Sequence, residues 1–290
     1  TPRAEDLQLI RDTEQVMWAG IDQVIAGATV GDIGFAVMNE AASLGYSIND
    51  RFGGHGAMAG HALGNLLITG LAERLGDTQA ALDQVAAWTG SAGRVIPVCP
   101  QPLDIEADVA GLDDDPRVLR SVRGQVAVAT TPGAVRRVRL TPAQPAASEA
   151  AVRAILDADV VTIGPGSWFS SVIPHLLVPE ITDALNETDA KVVVILNLSP
   201  EAGETHGFTA ERHIHVFAQH APALRVDTIL VDDTVPATQG ERENLRHAAE
   251  QLGAEVEFRS LREMGENGVA LNRHDPLKLA AALKDLAQGE

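Results

Sequence analysis

The chain has 290 residues, enough for one large or two ordinary domains, and its 45% hydrophobic and 21% charged content is that of a globular protein. A net charge of −18 with only three lysines argues against nucleic acid, whose phosphates are held by clustered Lys and Arg. No run of eighteen apolar residues predicts a membrane span, no basic segment with an apolar core opens the chain, and the single Cys99 excludes an internal disulfide framework and fits a reducing cytoplasm.

Residues 5–25 read as an amphipathic helix, with apolar side chains at Leu7, Ile10, Met17, Ile21 and Val24. A Gly-Ala-Thr break at 27–29 separates it from a second helix over 30–44, which Gly45 can cap. A third helix is predicted over 61–75 and a fourth over 77–88, started by Asp77 as N-cap. Strand patterns follow at 94–98, 103–109, 118–121 and 135–140. Cys99, at the end of the first, reads as a small buried hydrophobe. Asp113-Asp-Asp-Pro116 reads as a hairpin turn; three adjacent carboxylates repel, and no Glu or His stands at ligand spacing.

The connector 141–148 is rich in Pro and Ala, and Ser148 opens a helix to Leu156. Val160–Ile163 and Val192–Asn197 are apolar throughout, as strands buried on both faces are. A helix is expected after Pro174. A last βα unit covers 228–231 and 242–252, then a strand at 255–259 and a closing helix at 275–287. The alternation predicts an α/β fold: a Rossmann-like, mainly parallel sheet with helices on both faces and an antiparallel insertion near 94–140.

Chemistry concentrates after the strand Val160–Ile163. Gly164-Pro165-Gly166-Ser167 turns the chain at what should be the carboxyl edge of a parallel sheet, where open α/β sheets bind phosphates and nucleotides. Gly164 and Gly166 would let the backbone approach an anion, and Ser167, Ser170 and Ser171 add hydroxyls. The alternative is a tight strand–helix turn with no ligand. The pattern is neither GxGxxG nor a Walker A, because no Gly-Lys-Ser/Thr follows.

The polar stretch 200–207 follows the next strand. Glu204 and His206 could act there as an acid/base pair, could contact a ligand, or could be plain surface loop. His213, His215 and His220 suggest a metal cluster, but a separation of two puts His213 and His215 on different helix faces, so no metal site is predicted. Arg136, Arg137 and Arg139 alternate with apolar residues. They either face an acidic ligand or form the solvated side of a strand, and the alternation favours the solvated side.

Four words occur in one order: Gly60-His-Ala-Leu-Gly-Asn-Leu66, Gly93-Arg-Val-Ile-Pro97, the segment 163–179, and Asn197-Leu-Ser-Pro-Glu-Ala-Gly-Glu-Thr-His-Gly-Phe-Thr209. From about Arg51 onward the chain resembles the gluconeogenesis factor (YvcK) family, relatives of the CofD transferases that attach 2-phospholactate to a deazaflavin. Gly124 to Leu140 looks most like actinobacterial members. The resemblance implies a regulatory, non-catalytic protein of the cytoplasm that binds a nucleotide-sugar such as UDP-N-acetylglucosamine, supports cell shape on gluconeogenic carbon, and needs no cofactor. It leaves a homo-oligomer open. Carried over as ligand-binding positions are Asn65, Gly164, Pro165, Gly166, Ser167, Ser171 and Asn197, with Glu204 and Thr205 from the polar loop. The family's N-terminal GGGTG-like loop and its later Asp-Asp-Gly-Gly-Ser-Ser-like loop are absent, which implies weak binding. A CofD-like transferase is the enzymatic alternative.

Residues 1–56 are similar instead to an internal piece of a methionine aminopeptidase, through the words at 14–34 and 42–48 and Gly54-His55-Gly56. The expectation is a fusion near Arg51–Ala57: a fragment at 1–56 that is not an independent domain, and an α/β domain over 57–290. His55 alone cannot hold a catalytic metal pair, so no peptidase activity is expected.

Overall fold

The structure, a computed structural model, describes residues 62–115, 117–201, 204–265 and 267–288. The helices expected at 5–25 and 30–44, His55 and the expected junction lie outside them. The chain divides into two compact units, Thr1–Pro97 and Val98–Glu290.

In the first unit, α1 spans Leu63–Leu75 and α2 spans Thr78–Thr89. Gly76 ends α1 in the left-handed region (φ 69°), and Asp77 caps α2 by accepting from the N–H groups of Gln79 and Ala80. The strand expected at 94–98 does not form. Arg94 reaches back to Asp83 at 2.7 Å, Val95 is 60% exposed, and the following Pro97, Pro100 and Pro102 have no N–H to give a ladder.

The second unit opens with an antiparallel sheet of order β2-β1-β3: β1 Asp104–Ala110, β2 Leu119–Arg123 and β3 Ala134–Thr141. The antiparallel section thus begins at Asp104. Asp113 pairs with Arg120 across the β1–β2 hairpin, and a short helix, α3 (Gln125–Ala129), joins β2 to β3. Register slips between β1 and β3: Asp108 faces Arg137 but Val109 faces Val135, so Arg136 is an extra residue, a β-bulge.

Helix α4 (Glu149–Leu156) leads to a parallel sheet of order β4-β5-β6-β7: β4 Val160–Ile163, β5 Lys191–Ile195, β6 Thr228–Asp232 and β7 Glu255–Arg259. A π-helical turn, Trp168–Val172, runs into α5 (Ile173–Leu176); α6 (Pro179–Glu187), α7 (Ala210–His220) and α8 (Gln239–Glu250) make the remaining crossovers. A hairpin of β8 (Arg262–Met264) and β9 (Ala270–His274) precedes α9 (Pro276–Gln288).

Side chains of a strand alternate between its two faces, and β5 shows what each face meets. Val192 and Val194 join Ile181, Phe217 and Leu245 in the larger core, while Val193 and Ile195 pack with Leu230, Ala282 and Leu286. Helices therefore cover both faces of a mainly parallel sheet. Cys99 is buried in the larger core, and that burial pushes its thiol pKa up. No helix of the described residues is long and apolar enough to cross a membrane.

Candidate functional site

Parallel strands put their C-terminal ends on one edge, and the loops after β4 and β5 meet there. Gly166 N–H donates to Asn197 Oδ1 at 3.1 Å, and Asn197 Nδ2 donates to the Gly166 carbonyl at 2.8 Å. Gly164, Pro165, Gly166, Ser167 and Asn197 thus stand together, as the sequence predicts. Gly164 is required by the backbone: its φ is 78°, and a Cβ there would sit 3.0 Å from the Ile195 carbonyl oxygen. Gly166 is under no such demand, since a Cβ would make only ordinary contacts with Val172 and Ser171.

The donors expected to cradle an anion are already engaged. Glu201 accepts from the Ser167 hydroxyl at 3.0 Å and from Trp168 N–H at 3.3 Å. Glu204 Oε2 accepts from Phe169 N–H at 2.7 Å and Ser170 N–H at 3.3 Å. Two of the protein's own carboxylates hold the start of the π-helical turn, where unpaired backbone N–H groups attract negative charge. The π-helical geometry itself is of a kind that recurs at functional sites.

Glu204 and Thr205 act from beneath the surface. They are 2% and 0% exposed, and Thr205 Oγ1 accepts from Glu201 N–H at 2.8 Å. His206 is exposed and makes no direct hydrogen bond with the buried Glu204. Ser171 faces a groove beside β4 with Val161 and His175. Asn65 is exposed on α1 in the first unit.

Burial pushes the Glu204 carboxyl above the usual range. Bonds from Ser170 and Phe169 oppose the shift without cancelling it, and the Glu201 charge reinforces it. An acid with a raised folded-state pKa stabilises fully below its unfolded value, near about 4.3, and loses that contribution as pH rises through the folded value. Relative to Glu204→Gln, the natural chain is expected to lose stability as pH rises above about 4. Urea midpoints at several pH values check this; a difference that stays flat would refute it.

The histidines part company. His213 Nδ1 donates to the Thr209 carbonyl at 2.8 Å, and its ring meets Trp168 and Phe208 edge-on, each at 5.3 Å. His215 contacts Gln251 at 3.3 Å. His220 Nε2 accepts from Val138 N–H at 3.2 Å while its Nδ1 donates to the Val216 carbonyl at 2.8 Å, which fixes the neutral tautomer. Among the described residues, no three His, Cys, Asp or Glu side chains are placed to share a metal.

Sequence reasoning missed the third wall. Asp232, at the end of β6, is 1% exposed and accepts from Leu261 N–H at 2.8 Å, from Arg262 N–H at 3.1 Å and from Arg262 Nε at 3.2 Å. Arg262 Nη2 then reaches the Leu198 carbonyl at 2.6 Å. This pins the β8–β9 hairpin beside the β5 loop, with Asn272 Nδ2 donating to Ser199 Oγ at 2.7 Å. The result is a crevice of about 480 Å³ lined by Pro165, Asn197, Ser199, Glu201, Asn272 and His274. A second cavity of about 250 Å³ is also lined by Asn197 to Pro200, with His213 and Val235. An acid at the end of an apolar strand was the available signal for Asp232; the hairpin offered none.

Residues 11–272 match the family described as 2-phospho-L-lactate transferase CofD. That match begins inside the block read as an aminopeptidase fragment, and no comparison shows such a fusion. A Mycobacterium tuberculosis protein named "Putative gluconeogenesis factor" is 54% identical over 236 residues, 81% of this chain and 68% of its own length. The Deinococcus radiodurans protein of the same name is 33% identical over 88% of this chain and 54% of its own. The chain thus spans about two thirds of the mycobacterial relative and about half of the deinococcal one. A crystal structure of a UPF0052 family member from Bacillus halodurans superposes with a TM-score of 0.67 at 26% identity, covering 89% of this chain and 83% of that one.

Proposed function

Because the chain belongs to the CofD family, within which its curated relatives carry the name gluconeogenesis factor, we propose that it is a cytoplasmic, nucleotide-sugar-binding regulator of carbon metabolism and cell shape. The observation that carries this reading is the crevice at the carboxyl edge, between the Gly164–Ser167 turn, the Asn197–Glu201 loop and the β8–β9 hairpin. Open α/β sheets take nucleotides at this position. Ser199, Asn272 and His274 offer polar contacts for a sugar, and UDP-N-acetylglucosamine is the ligand proposed.

Its diphosphate competes with Glu201 for the Ser167 hydroxyl and Trp168 N–H. Binding therefore requires the carboxylate to leave, and the affinity is weak. Calorimetry is expected to give a dissociation constant well above the micromolar range. Glu201→Ala is expected to bind about tenfold more tightly, a gain of about 1.4 kcal/mol. Nanomolar binding by the natural chain, or weaker binding by the variant, would contradict this account; no heat at millimolar ligand would leave only a scaffold.

The description of the matched family, 2-phospho-L-lactate transferase, supports a second reading, transfer of 2-phospholactate to an acceptor. A phospholactyl product formed from a nucleotide-diphosphate donor would establish it in place of the regulatory one.

A further inference from the structure

The bulge in β3 leads to a second site. Val135 and Val138 are both 1% exposed, although residues three apart in a regular strand point to opposite faces. The extra residue at Arg136 resets the phase. Both valines reach the core, and Arg136 and Arg137 are left together on the outside, the kind of re-aiming for which bulges are kept beside binding sites. β3 is also an edge strand, so Val138 N–H is free of the ladder and is taken by His220 Nε2 at 3.2 Å.

This arrangement walls a pocket of about 620 Å³, separate from the carboxyl-edge crevice. Arg136, Arg137, Arg139, Gln144, Gln219 and His220 supply its polar lining. No carboxylate of the described residues lines it, in a chain with 40 acidic residues against 22 basic ones. Arg139 is committed to Glu106 and Asp108, each at 2.8 Å. Arg136 and Arg137 form no ion pair within the described residues. Arg137 and His220 both line the pocket, and the His220 pKa is lowered mainly by burial, with a smaller push in the same direction from the Arg137 charge. Gln144, on the facing turn, has φ 53°, a left-handed backbone that a residue other than glycine adopts at a cost. Gln144 is one of the residues that line the pocket.

We propose that this pocket binds the phosphoryl group of a small phosphorylated metabolite. Arg136 and Arg137 supply the forked donors that match phosphate oxygens, and Gln144 and Gln219 supply neutral contacts for the rest of the molecule. His220 is a fixed neutral strut beneath them. Inorganic pyrophosphate is the probe, titrated calorimetrically into the full chain at low salt. Binding is expected, and it weakens as salt rises. The double variant Arg136→Ala/Arg137→Ala is expected to lose at least tenfold in affinity with a melting temperature within a few degrees of the natural chain. Arg153→Ala, on an exposed helix pair with Glu149, is expected to bind unchanged. Absence of pyrophosphate binding in the natural chain, or equal binding in the double variant, would overturn the site. Retained UDP-N-acetylglucosamine affinity in the double variant would separate this pocket from the crevice.

Discussion

Asp232→Ala is expected to destabilise the chain by about 3–5 kcal/mol, the usual cost of removing one partner of a buried ion pair. The carboxylate is 1% exposed and serves Leu261, Arg262 and Thr234 at once. Its loss leaves those donors buried and the Arg262 guanidinium, whose side chain is 19% exposed, without its counter-charge. The damage is directional. Arg262 ties the hairpin to the Leu198 carbonyl, so the variant also loosens Asn272 and His274 from the crevice. Chemical denaturation reads the first effect and ligand titration the second. A variant within 1 kcal/mol of the natural chain would show that the network is dispensable.

Acid should reproduce part of that loss. Burial alone would push the Asp232 carboxyl up, but bonds from Thr234 and Leu261 and the charge of Arg262 outweigh it, and its pKa is lowered. A depressed acid stabilises above its unfolded value, near about 3.9, and stops doing so as pH falls through the folded value. Asp232 and Glu204 thus pull in opposite senses.

Trp168→Ala is expected to cost about 3–5 kcal/mol through lost burial and the cavity left behind. The indole is fully buried, edge-on to His213 and tilted against Phe217 at 5.8 Å. Its Nε1 has no partner among the described residues, a penalty the natural chain already carries, which moves the expectation toward the lower end of that range. Trp168→Phe should therefore recover most of the stability. Equilibrium unfolding of both variants tests this; a Phe variant no better than Ala would mean the N–H matters more than the ring.

The parallel core was legible because its central strands carry apolar runs, Val192–Ile195 and Ile229–Val231, and because helical patterns alternate with them. Val160–Ile163 and Glu255–Arg259 fall where the sequence puts them, and β5 differs only at its ends. The turn at Gly164 was legible for the same reason, since a buried strand must end before a Gly-Pro-Gly. The β8–β9 hairpin was not, because Arg262-Glu-Met264 and Ala270-Leu-Asn-Arg-His274 show no alternation; Asp232, some thirty residues away, fixes the first of them. Residues 94–98 misled in the opposite way, carrying a strand pattern among prolines that leave it without partners. The glutamates that fill the expected anion cradle were visible as residues. Their targets lie 33 to 35 positions earlier, and local pattern carries no information at that distance.

Asn197 gives one hydrogen bond to Gly166 and receives one from it, so its amide serves as one more rung beyond the last residues of β4 and β5. Aspartate lacks the donor and leucine lacks both groups. Through that rung the two loops are tied together, and the tied Asn197–Pro200 segment lines both the 480 Å³ crevice and the 250 Å³ cavity. Both spaces therefore share the Asn197–Pro200 segment that this rung holds in place.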